Sequence, residues 1–422
     1  MPQVTQGRDD ALHRCPAGKA PVNGPGAGTA IFLLTLGLLA VAPSSSVASD
    51  AGPFDADELA RIIAHGPWPP AFERDPTNRV SGMPAAIAFG RRLFFEPRFS
   101  PSGYISCVAC HQPDRSFTDN LPRARGLAPV DRNAPALHNL RLQRRFGWGG
   151  SSDSLWMASL RPILDEREIG GSAEKVARVI RTGDGVACRY RAAFGADPAR
   201  QNAETVLVNV GKALAAYEET LATGRTAFDD FRDAMARGEP APQTYPSAAR
   251  RGLKLFAGRG NCFSCHSGPN FTDGEFRATG VPPFVGQTAP DAGRYAGVRT
   301  LRASRFNLLG GYNDDAARTS ALATRETTLD PRDRGKWRTP SLRNVAVTAP
   351  YLHNGEGASL HDVVRRYTTV AEDPMRVDGE RSLRRVDLSD ADIDDLVAFL
   401  TTLTDAAGAR RPLAPLVPTA CD

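Results

Sequence analysis

The sequence predicts a mainly α-helical protein made of two similar units, with long loops and little strand. Three observations carry this. Apolar residues recur at helical spacing, while strictly alternating runs are scarce. The five-residue word C-x-x-C-H occurs twice, as Cys107-Val108-Ala109-Cys110-His111 and as Cys262-Phe263-Ser264-Cys265-His266, 155 residues apart. Each copy follows a short helical stretch, and a polar, Pro-rich segment from Arg237 to Pro246 lies between them.

The chain opens on a basic stretch with Arg8, Arg14 and Lys19, followed by a 14-residue apolar run from Thr29 to Ala42. That run is shorter than an ordinary spanning helix, and Ser46-Val47-Ala48 fits a small-x-small cleavage site. Residues 1–48 are expected to be a signal peptide that exports the protein to the periplasm, with an uncleaved anchor as the alternative. Pro84 to Phe94 forms a helix ahead of the first C-x-x-C-H word. Ala203 to Thr223 places Val206, Val210, Leu214, Tyr217 and Leu221 at helical spacing. Ala248 to Phe256 leads into the second word as Pro84 to Phe94 leads into the first. Residues 267–335 read as loop, being rich in Gly and Pro. Leu360 to Tyr367 is helical. Ser389 is an N-cap with Asp392 three residues on, and Ile393, Leu396, Val397, Leu400 and Leu403 share one face of the closing helix. The expected organisation is a first domain over 49–240, a second over 247–405, and a tail over 406–422.

Abundant glycine (39) and proline (33) suit short helices joined by long loops. The net charge of +5 comes from 52 basic and 47 acidic residues that are interspersed. No basic tract interleaved with aromatics exists to grip nucleic acid, although the bias suits steering of a redox partner.

C-x-x-C-H is the attachment sequence of c-type haem: the cysteines form thioethers with the vinyl groups and the histidine ligates iron. Two copies, with no βαβ pattern beside them, argue against zinc or a dithiol. Each unit is thus expected to be a cytochrome c-like domain with one covalent haem. Of seven cysteines four hold haem and Cys15 lies in the leading segment. Cys188 and Cys421 either form a disulfide or remain separate thiols. A filled sixth iron position favours electron transfer, while an open one permits peroxide chemistry. Candidates for that position are His65, His138, His353, His361, the methionines Met83, Met157, Met235 and Met375, or a Tyr or Lys.

The segment from Trp337 to Gly355 (WRTPSLRNVAVTAPYLHNG), with Arg132-Asn133-Ala134-Pro135 and Phe146 to Trp148, resembles the signatures of bacterial di-haem cytochrome c peroxidases and MauG. The likeness spans roughly residues 80–405. GRYAG and the segment Asp153 to Trp156 are similar to the MbnH-like branch, which modifies a tryptophan on a copper-binding partner. The resemblance implies proximal iron ligands at His111 and His266, with the first haem peroxidatic and the second of high potential. It implies an inter-haem electron relay at Trp148, a distal acid at Glu168, and a Ca²⁺ held by Asn133, Thr348 and Pro350. Carboxylate chemistry above a peroxide would move a proton between its two oxygens.

Several positions depart from the family pattern. Arg125 stands where many members have a histidine that blocks the peroxidatic haem. Ala158 replaces a distal glutamine, and Gly149-Gly150-Ser151 replaces Asp-Gly-Arg. Tyr367 stands where peroxidases carry a methionine ligand and MauG a tyrosine; the alternative is Met375 as ligand with Tyr367 a core aromatic. Trp156 and Trp337 are either exit points for oxidising equivalents or buried packing. The resemblance thus implies an exported enzyme in which H₂O₂ reacts at a five-coordinate haem. Oxidising equivalents are shared through Trp148 with a Tyr367-ligated haem and drawn from an aromatic (Trp) side chain of a partner protein. Two rivals stand beside it. One is a cytochrome c peroxidase fed by a small cytochrome or cupredoxin, and the other a non-enzymatic electron carrier with two six-coordinate haems. Monomer and homodimer both remain open.

Overall fold

The computed structural model describes residues 53–281, 291–369, 385–408 and residue 421. The expected signal peptide, most of the tail and Met375 lie outside these residues. The described helices are α1 (Ala56–Ile63), α2 (Pro84–Phe94), α3 (Leu155–Leu164), α4 (Ala173–Thr182), α5 (Val186–Phe194), α6 (Ala203–Glu218), α7 (Ala227–Ala236), α8 (Ser247–Ala257), α9 (Gly293–Ala303), α10 (Leu322–Arg325), α11 (Leu360–Arg366) and α12 (Asp390–Thr401). Strand is confined to a two-stranded antiparallel pair, β1 (Phe276–Ala278) and β2 (Lys336–Arg338), with Arg277 opposite Trp337. None of the described helices is long and apolar enough to cross a membrane.

Two hydrophobic cores form. One gathers Val80 to Leu221 and adds Leu301, Phe306, Leu308 and Ala321 from much later in the chain. Its axis is α6, where every residue from Val206 to Glu218 is buried. The other core joins Ile62 of α1 to side chains from Phe228 to Leu403. The packing border therefore departs from a chain border at 240. α7 turns Phe228 and Phe231 into the second core, and Phe231 stacks on Tyr245 at 4.3 Å. The Pro-rich segment after it only reverses the chain between α7 and α8.

The same crossing is built twice. α2 packs on α6, and α8 packs on α12. A Cβ at Gly90 would lie 1.8 Å from the Ala213 carbonyl oxygen, and one at Gly252 would lie 1.9 Å from that of Asp395. Glycine lets the two backbones touch, and each crossing sets the position of the C-x-x-C-H word that follows. The closing helix has the expected capping box, Ser389 with Asp392.

Two expectations need correction. α6 stops at Glu218, not at Thr223, because the chain turns there so that Thr223 can pair with Asn139. Residues 267–335 contain the 11-residue helix α9, whose Val298 and Leu301 are buried. Its glycines hid it: Gly293 and Gly297 serve a close approach, described below. Cys188 and Cys421 form a disulfide that ties the tail to α5.

The crossings yield a prediction with a decisive sign. Gly→Ala in an open helix stabilises by about 1 kcal/mol. Gly252→Ala is expected instead to destabilise by ~1–3 kcal/mol through overpacking, read as a lower denaturation midpoint. A raised midpoint would show that α8 and α12 do not touch there.

Candidate active site

Both C-x-x-C-H words fold alike. Each begins with a 3₁₀ turn, Cys107–Ala109 or Cys262–Ser264, and the histidine N–H closes onto the first cysteine carbonyl at 3.0 Å in both. His111 Nδ1 lies 3.0 Å from the Phe117 carbonyl oxygen, and His266 Nδ1 lies 3.0 Å from that of Phe271. A carbonyl can only accept, so Nδ1 carries the proton and the Nε2 lone pair is left for a metal. Phe117 (φ 56°) and Phe271 (φ 51°) are both left-handed. This conformation costs roughly 1 kcal/mol or more for a side chain with Cβ, and it is what aims each carbonyl. Burial holds both imidazoles below their ordinary pKa, favouring the neutral ligand form.

None of the four motif cysteines is in a disulfide. Burial pushes Cys110 up to about 11, Cys262 to about 12, and Cys107 higher still. A redox dithiol needs a depressed pKa, so these raised values oppose that reading.

A cavity of about 780 Å³ holds Cys262, Cys265 and His266 on its wall together with Tyr367. Tyr367 follows the last turn of α11 as its C-cap. Burial raises its hydroxyl to about 12, with the Cys262 and Cys265 sulfurs close enough to add to the effect. The first unit contributes Asn133, His138 and Trp148 to the same wall. Thr348 and Pro350 also line it.

Trp148 sits in a tightly held loop. Its Nε1–H donates to the Asn133 carbonyl at 2.9 Å, and its own carbonyl accepts from the Arg338 N–H at 2.9 Å. α9 explains the two glycines that follow it. A Cβ on Gly297 would lie 1.9 Å from the Gly149 oxygen, and one on Gly150 would lie 2.4 Å from Arg294 Nη1. Arg294 donates to the carbonyls of Gly149 (3.3 Å) and Gly150 (3.0 Å). Gly149-Gly150 and GRYAG are therefore one matched contact, in which an arginine from α9 holds the loop behind Trp148.

At the first word, α3 turns Ala158 and Arg161, three residues apart, to one face. Arg161 Nη1 donates to Glu168 Oε1 at 2.5 Å. Glu168 is near enough to raise the pKa of Cys107, Cys110 and His111. The loop carrying Arg125 runs alongside: Leu127 and Ala128 donate to the backbone carbonyls of Glu168 and Arg167. Arg125 itself is exposed.

Of the remaining histidine and methionine candidates, His138 and His353 also line the cavity and the other described ones lie elsewhere. His65 stacks on Phe271 at 4.1 Å and binds the Gly268 carbonyl, so it buttresses the His266 tether from behind. His138 meets Phe117 edge-on at 5.6 Å and pairs with Ser116, which does the same for His111. His353 stacks on Trp337 at 3.7 Å, and exposed His361 pairs with Asp394. Met83 caps the start of α2, Met157 is buried in α3, and Met235 packs on the second core. Trp156 and Trp337 are both buried. Sequence reasoning missed Arg294, Arg338 and Glu218. Glu218 had a signal: a charged residue inside a helix buried on every side.

Two haem-attachment words on twin helical crossings, the second sharing its cavity with Tyr367, are the pattern of a two-haem c-type protein. Comparison with known proteins agrees. The family model for di-haem cytochrome c peroxidase matches residues 84–237. The chain is 30% identical to the methylamine utilization protein MauG of Methylorubrum extorquens, over 87% of this chain and 91% of that one. It is 31% identical to the cytochrome-c peroxidase IdrP2 of Pseudomonas sp., over 88% and 91%. A solved MauG-like protein associated with microbial copper homeostasis superposes with a TM-score of 0.62 at 27% identity, over 82% and 97%. The chain belongs to the di-haem cytochrome c peroxidase and MauG family and is a peroxidase-type oxidoreductase; membership implies haem c cofactors.

Glu218 generates a pH prediction. The Ser159 hydroxyl lies 2.9 Å from the Leu155 carbonyl and 3.1 Å from Glu218 Oε2. It has one proton for two acceptors, and a proton on Glu218 resolves the competition. Burial lifts Glu218 from 4.5 to about 8, and Glu219 to about 7. Between pH 4.5 and 8 the folded state binds more protons than the unfolded state, so stability falls as pH rises, by up to ~1.4 kcal/mol per unit and per group. Glu218→Gln should flatten that decline in unfolding midpoints; an unchanged slope would place the ionisation elsewhere.

Proposed function

We propose that this is a periplasmic enzyme that uses H₂O₂ at the haem held by Cys107, Cys110 and His111, and that oxidises a tryptophan side chain of a partner protein. The observation that carries it is the inequality of the two sites. Tyr367 shares a cavity with His266, whereas the first site faces Glu168 and has an exposed arginine where a blocking histidine would stand. When bound, the haems supply two-electron oxidation by peroxide and storage of the oxidising equivalents. The chain's own residues do the rest. His111 and His266 present neutral Nε2 atoms. Tyr367 would ligate the second iron; a phenolate is hard and anionic and favours the ferric state. Glu168 holds or moves a proton at the peroxide oxygens, with Arg161 fixing its orientation. Trp148, tied to Asn133 and Arg338, bridges the sites. Its indole N–H is engaged by a neutral carbonyl, which suits a reversible one-electron relay.

Asn133, Thr348 and Pro350 would hold Ca²⁺ through amide and carbonyl oxygens. The copper-associated relative makes a copper-binding protein a reasonable substrate. The peroxidase relative favours a second reading, detoxification of H₂O₂ with electrons from a small cytochrome or cupredoxin.

Mixing the fully oxidised protein with H₂O₂ in a stopped-flow spectrometer separates the readings. The proposal expects immediate reaction without added reductant, and a ~10²–10⁴-fold slower one in Glu168→Gln with unchanged haem content. A requirement for prior half-reduction would favour the second reading.

A further inference from the structure

We propose that Arg338 is the anion subsite of the large cavity and pairs with a propionate carboxylate of the haem attached at Cys262 and Cys265. The inference rests on the reading that a haem occupies that cavity, and it assigns a role to a residue so far described only as part of β2.

Arg338 is only 6% exposed and lines the cavity wall. Its backbone is fixed twice, by pairing with Phe276 across the sheet and by its N–H to the Trp148 carbonyl. Its Nε reaches the Gly147 carbonyl at a long 3.5 Å, and Nη1 has no hydrogen-bond partner. Burial alone lowers its pKa, to about 10, and no carboxylate acts to raise it.

The contrast with Arg343, on the same wall, is informative. Arg343 is equally buried, but its Nη1 and Nη2 meet Asp229 at 3.0 and 2.9 Å and its Nε meets the Pro269 carbonyl at 2.7 Å. Arg259, also on the wall, is exposed and paired with Asp392. Arg343 and Arg259 thus come with protein acids, whereas Arg338 lines the cavity with none. A desolvated cation without a counter-charge is strongly destabilising, so the ligand must bring the negative charge. A guanidinium fork selects a planar carboxylate, and propionate is the carboxylate that a haem carries.

The position has an electronic consequence. A positive charge beside an iron centre stabilises its reduced form, and one beside Trp148 opposes loss of an electron from the indole. A propionate on Arg338 offsets both effects at the point where the two sites meet.

The test uses the holoprotein and its Arg338→Gln and Arg338→Lys variants. Haem is quantified per chain and both midpoint potentials are measured by spectroelectrochemistry. Fewer than two haems in the unmodified protein would sink the haem reading itself, and the subsite with it. With two haems bound, Arg338→Gln should lower the potential of the second haem alone. The expected shift is at least tenfold in its reduction equilibrium, ~59 mV for a one-electron couple. Arg338→Lys should stay close to the unmodified value. Unchanged potentials in Arg338→Gln, or an equal shift in Arg338→Lys, would overturn the assignment. If Arg338→Gln does not acquire haem, full haem and native potential in Arg338→Lys support the proposal, and the same failure in Arg338→Lys refutes it.

Discussion

Everything at the two sites depends on one hydrogen bond made twice: the Nδ1–H of each motif histidine to the carbonyl of a left-handed phenylalanine. The bond selects the tautomer, orients the imidazole and frees Nε2. Its cost is backbone strain at Phe117 and Phe271, which survives because both rings are buried and each is braced by a second histidine. The glycine crossings of α2 with α6 and of α8 with α12 bring each word to its position. The proximal side is thus symmetric between the units.

Asymmetry enters in the other residues near each word. In the first unit, α3 offers Ala158 and Arg161, which holds Glu168 of the loop that follows; in the second, Tyr367 caps α11 and lines the cavity. The loop proposed to connect them is held at several points. Trp148 is tied at its indole N–H and its carbonyl, and α9 locks the loop behind it through Gly149, Gly150 and Arg294. An arginine thus reaches this loop from a different element.

Much of this was legible in the chain. The haem words, the helix before each, and the capped closing helix follow from local chemistry and periodicity, and α2 and α12 lie where those signals put them. α9 was not legible, because its glycines serve contact with another loop and imitate a loop composition. The exchange of α1 and α7 into the second core was hidden for a related reason. Phe228 and Phe231 show an apolar face, but nothing local says which core receives it. The lack of a counter-ion at Arg338 is likewise invisible in sequence, since pairing is a property of space. Arg343, five residues on, reads much the same there and differs only in meeting Asp229.

The central claim is that the two irons are unequal, one open and one closed by Tyr367. Electron paramagnetic resonance of the ferric holoprotein, as purified and without peroxide, tests it most directly. The account predicts one high-spin and one low-spin ferric signal in equal amounts, and conversion of the low-spin signal when Tyr367 is changed to Phe. Two low-spin signals, or a low-spin signal untouched by Tyr367→Phe, would contradict it.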